Sequence, residues 1–132
     1  MGMWNRAAET MSRDELEALQ LKGLQKTLRR VWENEFYRTR LARGGLSDPG
    51  DVKSLDDLRK LPFFTKEDFR EAYPLKMCCV DRRELMEFHQ SSGSTGTPVV
   101  MAYTKNDLNQ WADTMARCFT MAGLEEIGRA HV

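Results

Sequence analysis

Residues 90–103 read QSSGSTGTPVVMAY, and this stretch constrains the fold more than any other. Gly93 and Gly96 lack a Cβ and can adopt positive φ, so the backbone N–H groups between them can converge on one point. Ser91, Ser92, Ser94, Thr95 and Thr97 add hydroxyls that donate hydrogen bonds without bringing charge. The combination predicts an anion cradle. Pro98 stiffens the exit, and Val99 and Val100 open the apolar, β-branched run of a buried strand. A flexible serine/glycine linker has the same composition, but linkers are seldom followed at once by Pro-Val-Val-Met-Ala-Tyr. No Gly-Lys-Ser/Thr follows at Walker A spacing, and no G-x-G-x-x-G opens a helix, so two common nucleotide loops are excluded.

The chain leading to this loop reads as helical. Ser12 and Glu15 make a capping box, after which Leu21, Leu24, Leu28, Val31 or Trp32, and Phe36 recur at helical steps. Lys22, Lys26, Arg29 and Arg30 lie along that helix, and a solvated face is the preferred reading over an anion patch. Gly44-Gly45 and Asp48-Pro49-Gly50 are turn chemistry. Ser54 with Asp57 caps a short helix closed by Pro62, and Thr65 with Asp68 caps another over residues 66–72, ended by Tyr73-Pro74. Residues 84–90 predict a strand entering the loop. Beyond it, Thr104 and Asp107 cap a helix whose Leu108, Trp111, Ala112, Met115, Phe119 and Ala122 share a face, expected to be core in a complete domain and to lack its partner in a fragment, before Gly123 stops it.

Composition narrows the function. The 132 residues carry 20 basic and 20 acidic side chains, so no global field steers the chain to nucleic acid or to an anionic membrane. No apolar run approaches a transmembrane length, and the polar N-terminus is no signal peptide. Three cysteines, with Cys78 and Cys79 adjacent, form neither a disulfide framework nor a zinc spacing; they read as small packing residues in a cytoplasmic protein. His89 invites a role as general base, yet no acidic partner stands at a fixed spacing, and a loop-supporting histidine is the preferred reading. Ser94 lacks a nucleophile elbow.

SSGSTGTP resembles the phosphate loop of the adenylate-forming enzymes, a Ser/Thr-Ser/Thr-Gly-Thr/Ser-Thr-Gly-x-Pro run. NRAAETMSRDELEALQ, KSLDDLRKLPFFTKEDFR with Tyr73-Pro74, and YTKNDLNQW, in that order, resemble the start of the phenylacetate–coenzyme A ligases. The resemblance implies a helix-rich α/β fold: an N-terminal helical segment over residues 1–80, then the strand-loop-strand-helix that begins an AMP-binding domain over 81–126, with the phosphate loop at 91–98. It also implies that the chain is an N-terminal fragment, inactive alone, of an enzyme that activates phenylacetate or a related aryl acid with ATP and passes the acyl group to coenzyme A. Ser91, Ser92, Gly93, Ser94, Thr95, Gly96 and Thr97 are the positions implied to hold the ATP phosphates, with Mg²⁺ nearby. No catalytic residue and no metal ligand is expected within the chain, because the adenine, ribose and acid sites and the family's lysine lie downstream. The partners implied are small molecules, and a homodimer of the complete enzyme is left open.

This sequence departs from the family pattern in two places. Thr97 stands where many relatives have lysine, which removes one positive charge from the cradle. Asn34-Glu35 replaces a frequent Val-Pro, so the long helix is expected to continue to about Tyr37 or Leu41. Residues 127–132, IGRAHV, are expected to be a non-native tail: a common sequencing-library adapter (ATC GGA AGA GCA CAC GTC) encodes that string, and the resemblance breaks off after Leu124. The rival readings are a small helical interaction module and a phosphate-binding protein without ligase chemistry.

Overall fold

A computed structural model describes residues 2–91 and 96–124. The order is α1 (Arg6–Glu9), α2 (Arg13–Trp32) and α3 (Glu35–Arg43), 3-10 turns at Pro49–Asp51 and Leu55–Lys60, α4 (Lys66–Glu71) and a third 3-10 turn at Arg82–Glu84. The antiparallel strands β1 (Leu85–Gln90) and β2 (Val100–Thr104) follow, and then α5 (Lys105–Met121). This is the helix-rich arrangement, with a strand-loop-strand-helix at its end, that the sequence implied. The expected tail at 127–132 lies outside the described residues.

Most helix starts are written locally. Both halves of a capping box form at Ser12/Glu15, Asp48/Asp51, Ser54/Asp57, Thr65/Asp68, Asp81/Glu84 and Thr104/Asp107. The Thr65 N–H donates to Asp68 Oδ2 at 2.7 Å, and the Thr104 N–H donates to Asp107 Oδ2 at 2.8 Å. These backbone donors are the main reason both carboxyls are held below the usual carboxylate range. A charge-assisted bond of this kind satisfies an orphan N–H and favours the anion at the positive end of the helix.

The long helix does not continue to Tyr37 or Leu41. It stops at Trp32, because Asn34 leaves helical geometry and restarts the chain as the cap of α3, its side-chain oxygen accepting the Phe36 N–H at 3.0 Å. The Asn34 amide also donates to the carbonyls of Lys76 and Cys78, at 2.9 and 3.0 Å. One side chain thus turns α2 into α3 and holds the segment leading to the strands.

Helical periodicity on α2 and α3 builds the core. Leu28, Leu41, Leu46 and Val52 are buried, with Leu24, Val31, Trp32, Tyr37, Leu61 and Phe64 packed against them. Gln25 Nε2 donates to the Val52 carbonyl at 3.0 Å, tying α2 to the turn beneath it. Arg40 bridges α3 to α4, with Nε 2.8 Å from Asp68 and Nη2 2.6 Å from Glu71 while its guanidinium lies over the Phe36 ring. Lys22, Lys26, Arg29 and Arg30 are exposed, in line with a solvated face.

The face of α5 expected to be core is not buried among the described residues. Trp111, Met115 and Phe119 are 45%, 39% and 50% exposed. The helix meets the rest of the fold through β2, through the His89 ring on β1 and through Trp4, whose Nε1 donates to Asp113 Oδ1 at 3.1 Å.

Candidate functional site

The hairpin presents the loop. Pairing runs from Leu85↔Thr104 to Gln90↔Val100, with an irregularity between Leu85 and Glu87 that leaves Met86 without a partner across the pair. Side chains alternate along each strand, so Glu87, His89, Met101 and Tyr103 share one face. Just past the last pair, the Ser91 N–H donates to the Val99 carbonyl at 3.0 Å. The Val99 N–H in turn donates to Ser91 Oγ at 3.0 Å.

Of the residues implied to hold phosphate, Ser91, Gly96 and Thr97 are described, and they belong to the mouth between the paired Gln90 and Val100. Ser92, Gly93, Ser94 and Thr95 lie outside the described residues. Gly96 has φ +130°, a region L side chains rarely adopt, so glycine is required there for conformation and not for space: a Cβ would meet nothing within 4 Å. Thr97 is exposed at the surface and Pro98 is half-buried. The chemistry this mouth offers is hydrogen-bond donation from N–H and O–H groups, suited to an anion.

A brace that sequence reading missed stands below the loop. His89 Nε2 lies 3.1 Å from Glu87 Oε2, and the His89 ring packs against Tyr103 and Trp111 with centroids 5.0 and 5.6 Å away. Tyr103 and Trp111 stack at 5.6 Å. The acidic partner was legible in principle, since residues two apart on a strand face the same way. These contacts fit the loop-supporting reading of His89: its ring joins the strand that enters the loop to α5.

Cys78 and Cys79 are both free and half-buried, and they line a cavity of about 370 Å³ with Arg30, Tyr37, Tyr103 and Asp107. Burial pushes the Cys79 thiol above its usual range, and burial likewise pushes Tyr37 up to about 12. No helix among the described residues is long and apolar enough to cross a membrane.

No family model matches the chain. It is 42% identical over 125 residues to phenylacetate-coenzyme A ligase of Escherichia coli (strain K12), covering 94% of this chain and 28% of that protein. It is 41% identical over 122 residues to the Thermus thermophilus enzyme of the same name, covering 92% of this chain and 27% of that one. Among solved structures, 2-hydroxyisobutyryl-CoA ligase in the postadenylation state with 2-HIB-AMP matches with a TM-score of 0.81 and 29% identity, over 93% of this chain and 26% of that one. The same ligase with 2-HIB-AMP and CoA in the thioesterification state matches at 0.73 and 32% identity, over 82% of this chain and 24% of that one. This chain therefore spans about a quarter of the length of these proteins, and across that span it belongs to the phenylacetate–coenzyme A ligase family of adenylate-forming CoA ligases.

Proposed function

We propose that this chain forms the N-terminal part of an aryl-acid coenzyme A ligase, with residues 81–126 as the start of its AMP-binding domain. The reaction has two steps. The carboxylate of phenylacetate or a related aryl acid attacks the α-phosphorus of ATP, the bond to the β-phosphate oxygen breaks, and pyrophosphate leaves. The coenzyme A thiol then attacks the acyl carbon and AMP departs. Negative charge gathers on the leaving pyrophosphate in the first step, and fixed N–H and O–H donors stabilise it without covalent involvement. Residues 91–97 carry that kind of donor, and no catalytic residue is expected within this chain.

The observation that supports this reading is the hairpin pairing Gln90 with Val100 on either side of the loop, with Gly96 at a positive φ open to glycine. Among the described residues no group of His, Cys, Asp and Glu side chains could hold a metal ion. The uncharged loop instead suits a Mg²⁺ delivered on the ATP phosphates, the usual manner of binding for this ion. A cytoplasmic setting and a homodimer of the complete enzyme go with the same reading, and the free Cys78, Cys79 and Cys118 favour a reducing compartment.

The test uses the enzyme that carries this sequence at its N-terminus. With ATP, Mg²⁺, coenzyme A and phenylacetate it is expected to yield an aryl-CoA thioester, AMP and pyrophosphate. Absence of AMP and pyrophosphate with every aryl acid offered would refute the reading. The 132-residue chain alone is expected to form no thioester above a blank.

A further inference from the structure

The last rung of the hairpin is irregular in a way that concerns Ser91. In an antiparallel ladder a hydrogen-bonded pair exchanges two main-chain bonds, each N–H meeting the other residue's C=O. At Ser91 and Val99 the first bond is of that kind, from the Ser91 N–H to the Val99 carbonyl at 3.0 Å. The second is not: the Val99 N–H donates to Ser91 Oγ at 3.0 Å, and the hydroxyl stands where a carbonyl would. Pro98 comes next and has no N–H, so it cannot donate to a further rung. Among the described residues, the neck of the loop is closed by two hydrogen bonds, both made by Ser91.

We propose that Ser91 is the positioning residue of the loop, its hydroxyl closing the neck so that Gly96 and Thr97 stand in place for an anion. An oxygen that accepts the Val99 N–H keeps its own proton, so Ser91 can hold the neck and still donate to a phosphate. The proposal rests on the phosphate-cradle reading for its functional meaning, but the neck can be tested apart from it.

The test is amide hydrogen exchange by NMR on the 132-residue chain, comparing wild type, Ser91→Ala and Ser91→Thr. Met101, inside the ladder opposite His89, serves as the reference amide. Ser91→Ala is expected to speed exchange at Val99 roughly fivefold, the effect of one net hydrogen bond, with Met101 unchanged. Ser91→Thr retains a hydroxyl and is expected to restore protection. Equal protection in Ser91→Ala, failure of Ser91→Thr to rescue, or parallel acceleration at Met101 would each overturn the proposal. The same three sequences carried in the complete enzyme, titrated with MgATP and followed at the Gly96 and Thr97 amides, separate the two ideas. Weaker binding in Ser91→Ala, restored in Ser91→Thr, supports both. If wild-type Gly96 and Thr97 do not respond while Val99 behaves as expected, the neck stands and the cradle reading falls.

Discussion

Residues 2–80 bury Leu28, Leu41, Leu46, Val52 and Ala72, whereas none of the described residues in 81–124 is buried. The first region is held by apolar packing reinforced by Gln25, Asn34 and Arg40, each of which ties together segments distant in sequence. The second is held by a strand ladder, a ring cluster of His89, Tyr103 and Trp111, and the Ser91 neck. Burial and the candidate site are thus separated along the chain. The region that carries the candidate loop keeps its polar groups at the surface, while residues 2–80 supply the packing.

The most direct way to break this comparison is to truncate one apolar side chain in each region. Leu41→Ala removes a buried side chain and is expected to cost about 2–5 kcal/mol, whereas Met115→Ala on the exposed face of α5 should stay within about 0.5 kcal/mol. Urea denaturation of both variants checks this, and equal losses would mean that α5 is packed as tightly as α3.

Substitutions in the loop should separate site from packing. In the complete enzyme, Gly96→Val forces a β-branched residue to positive φ at a strain of about 1–3 kcal/mol, so the KM for ATP should rise roughly tenfold to a hundredfold while the KM for the acid moves little. Thr97→Lys should act in the opposite sense, lowering the KM for ATP by about tenfold through one charge-assisted bond. Steady-state kinetics with each substrate varied in turn reads both.

Two smaller effects sharpen the contrast. Thr65→Ala and Thr104→Ala each delete a capping hydroxyl, one in each region, and each should cost about 1 kcal/mol, because a cap acts within its own turn whatever packs nearby. Thermal melts showing a several-fold difference between them would contradict that. The alkaline pH response should belong to the first region: Tyr37, ordinarily ionising near 10.0, is pushed up to about 12 in the folded chain, chiefly by burial. Between those values the unfolded state sheds a proton that the folded state keeps, so stability falls as pH rises from about 10 to about 12. Tyr37→Phe should remove that slope, as followed by circular dichroism.

What could be read from the sequence was what is decided within four or five residues. The boxes at Ser12, Ser54, Thr65 and Thr104 are complete in the sequence itself, and each starts a helix where expected. The turn at Asn34 was hidden, because the groups that fix its amide belong to Lys76 and Cys78, more than forty positions away. The α5 stripe marks a different limit: periodicity states which residues share a face and not what covers it, and among the described residues this face stands exposed, as an unpartnered helix would. Glu87 beside His89 escaped notice because the strand alternates poorly, although pairing places both on one face.

The capping boxes have a consequence for how the chain is made. Each of the six is closed within four consecutive residues, so its helix start can be settled as soon as that short stretch clears the ribosome. A protein built N-terminus first at a few residues per second spends a long interval with only its early part outside the tunnel. Local punctuation of this kind biases where a nascent helix starts during that interval, while holding it there awaits packing and the contacts made by Asn34 and Arg40.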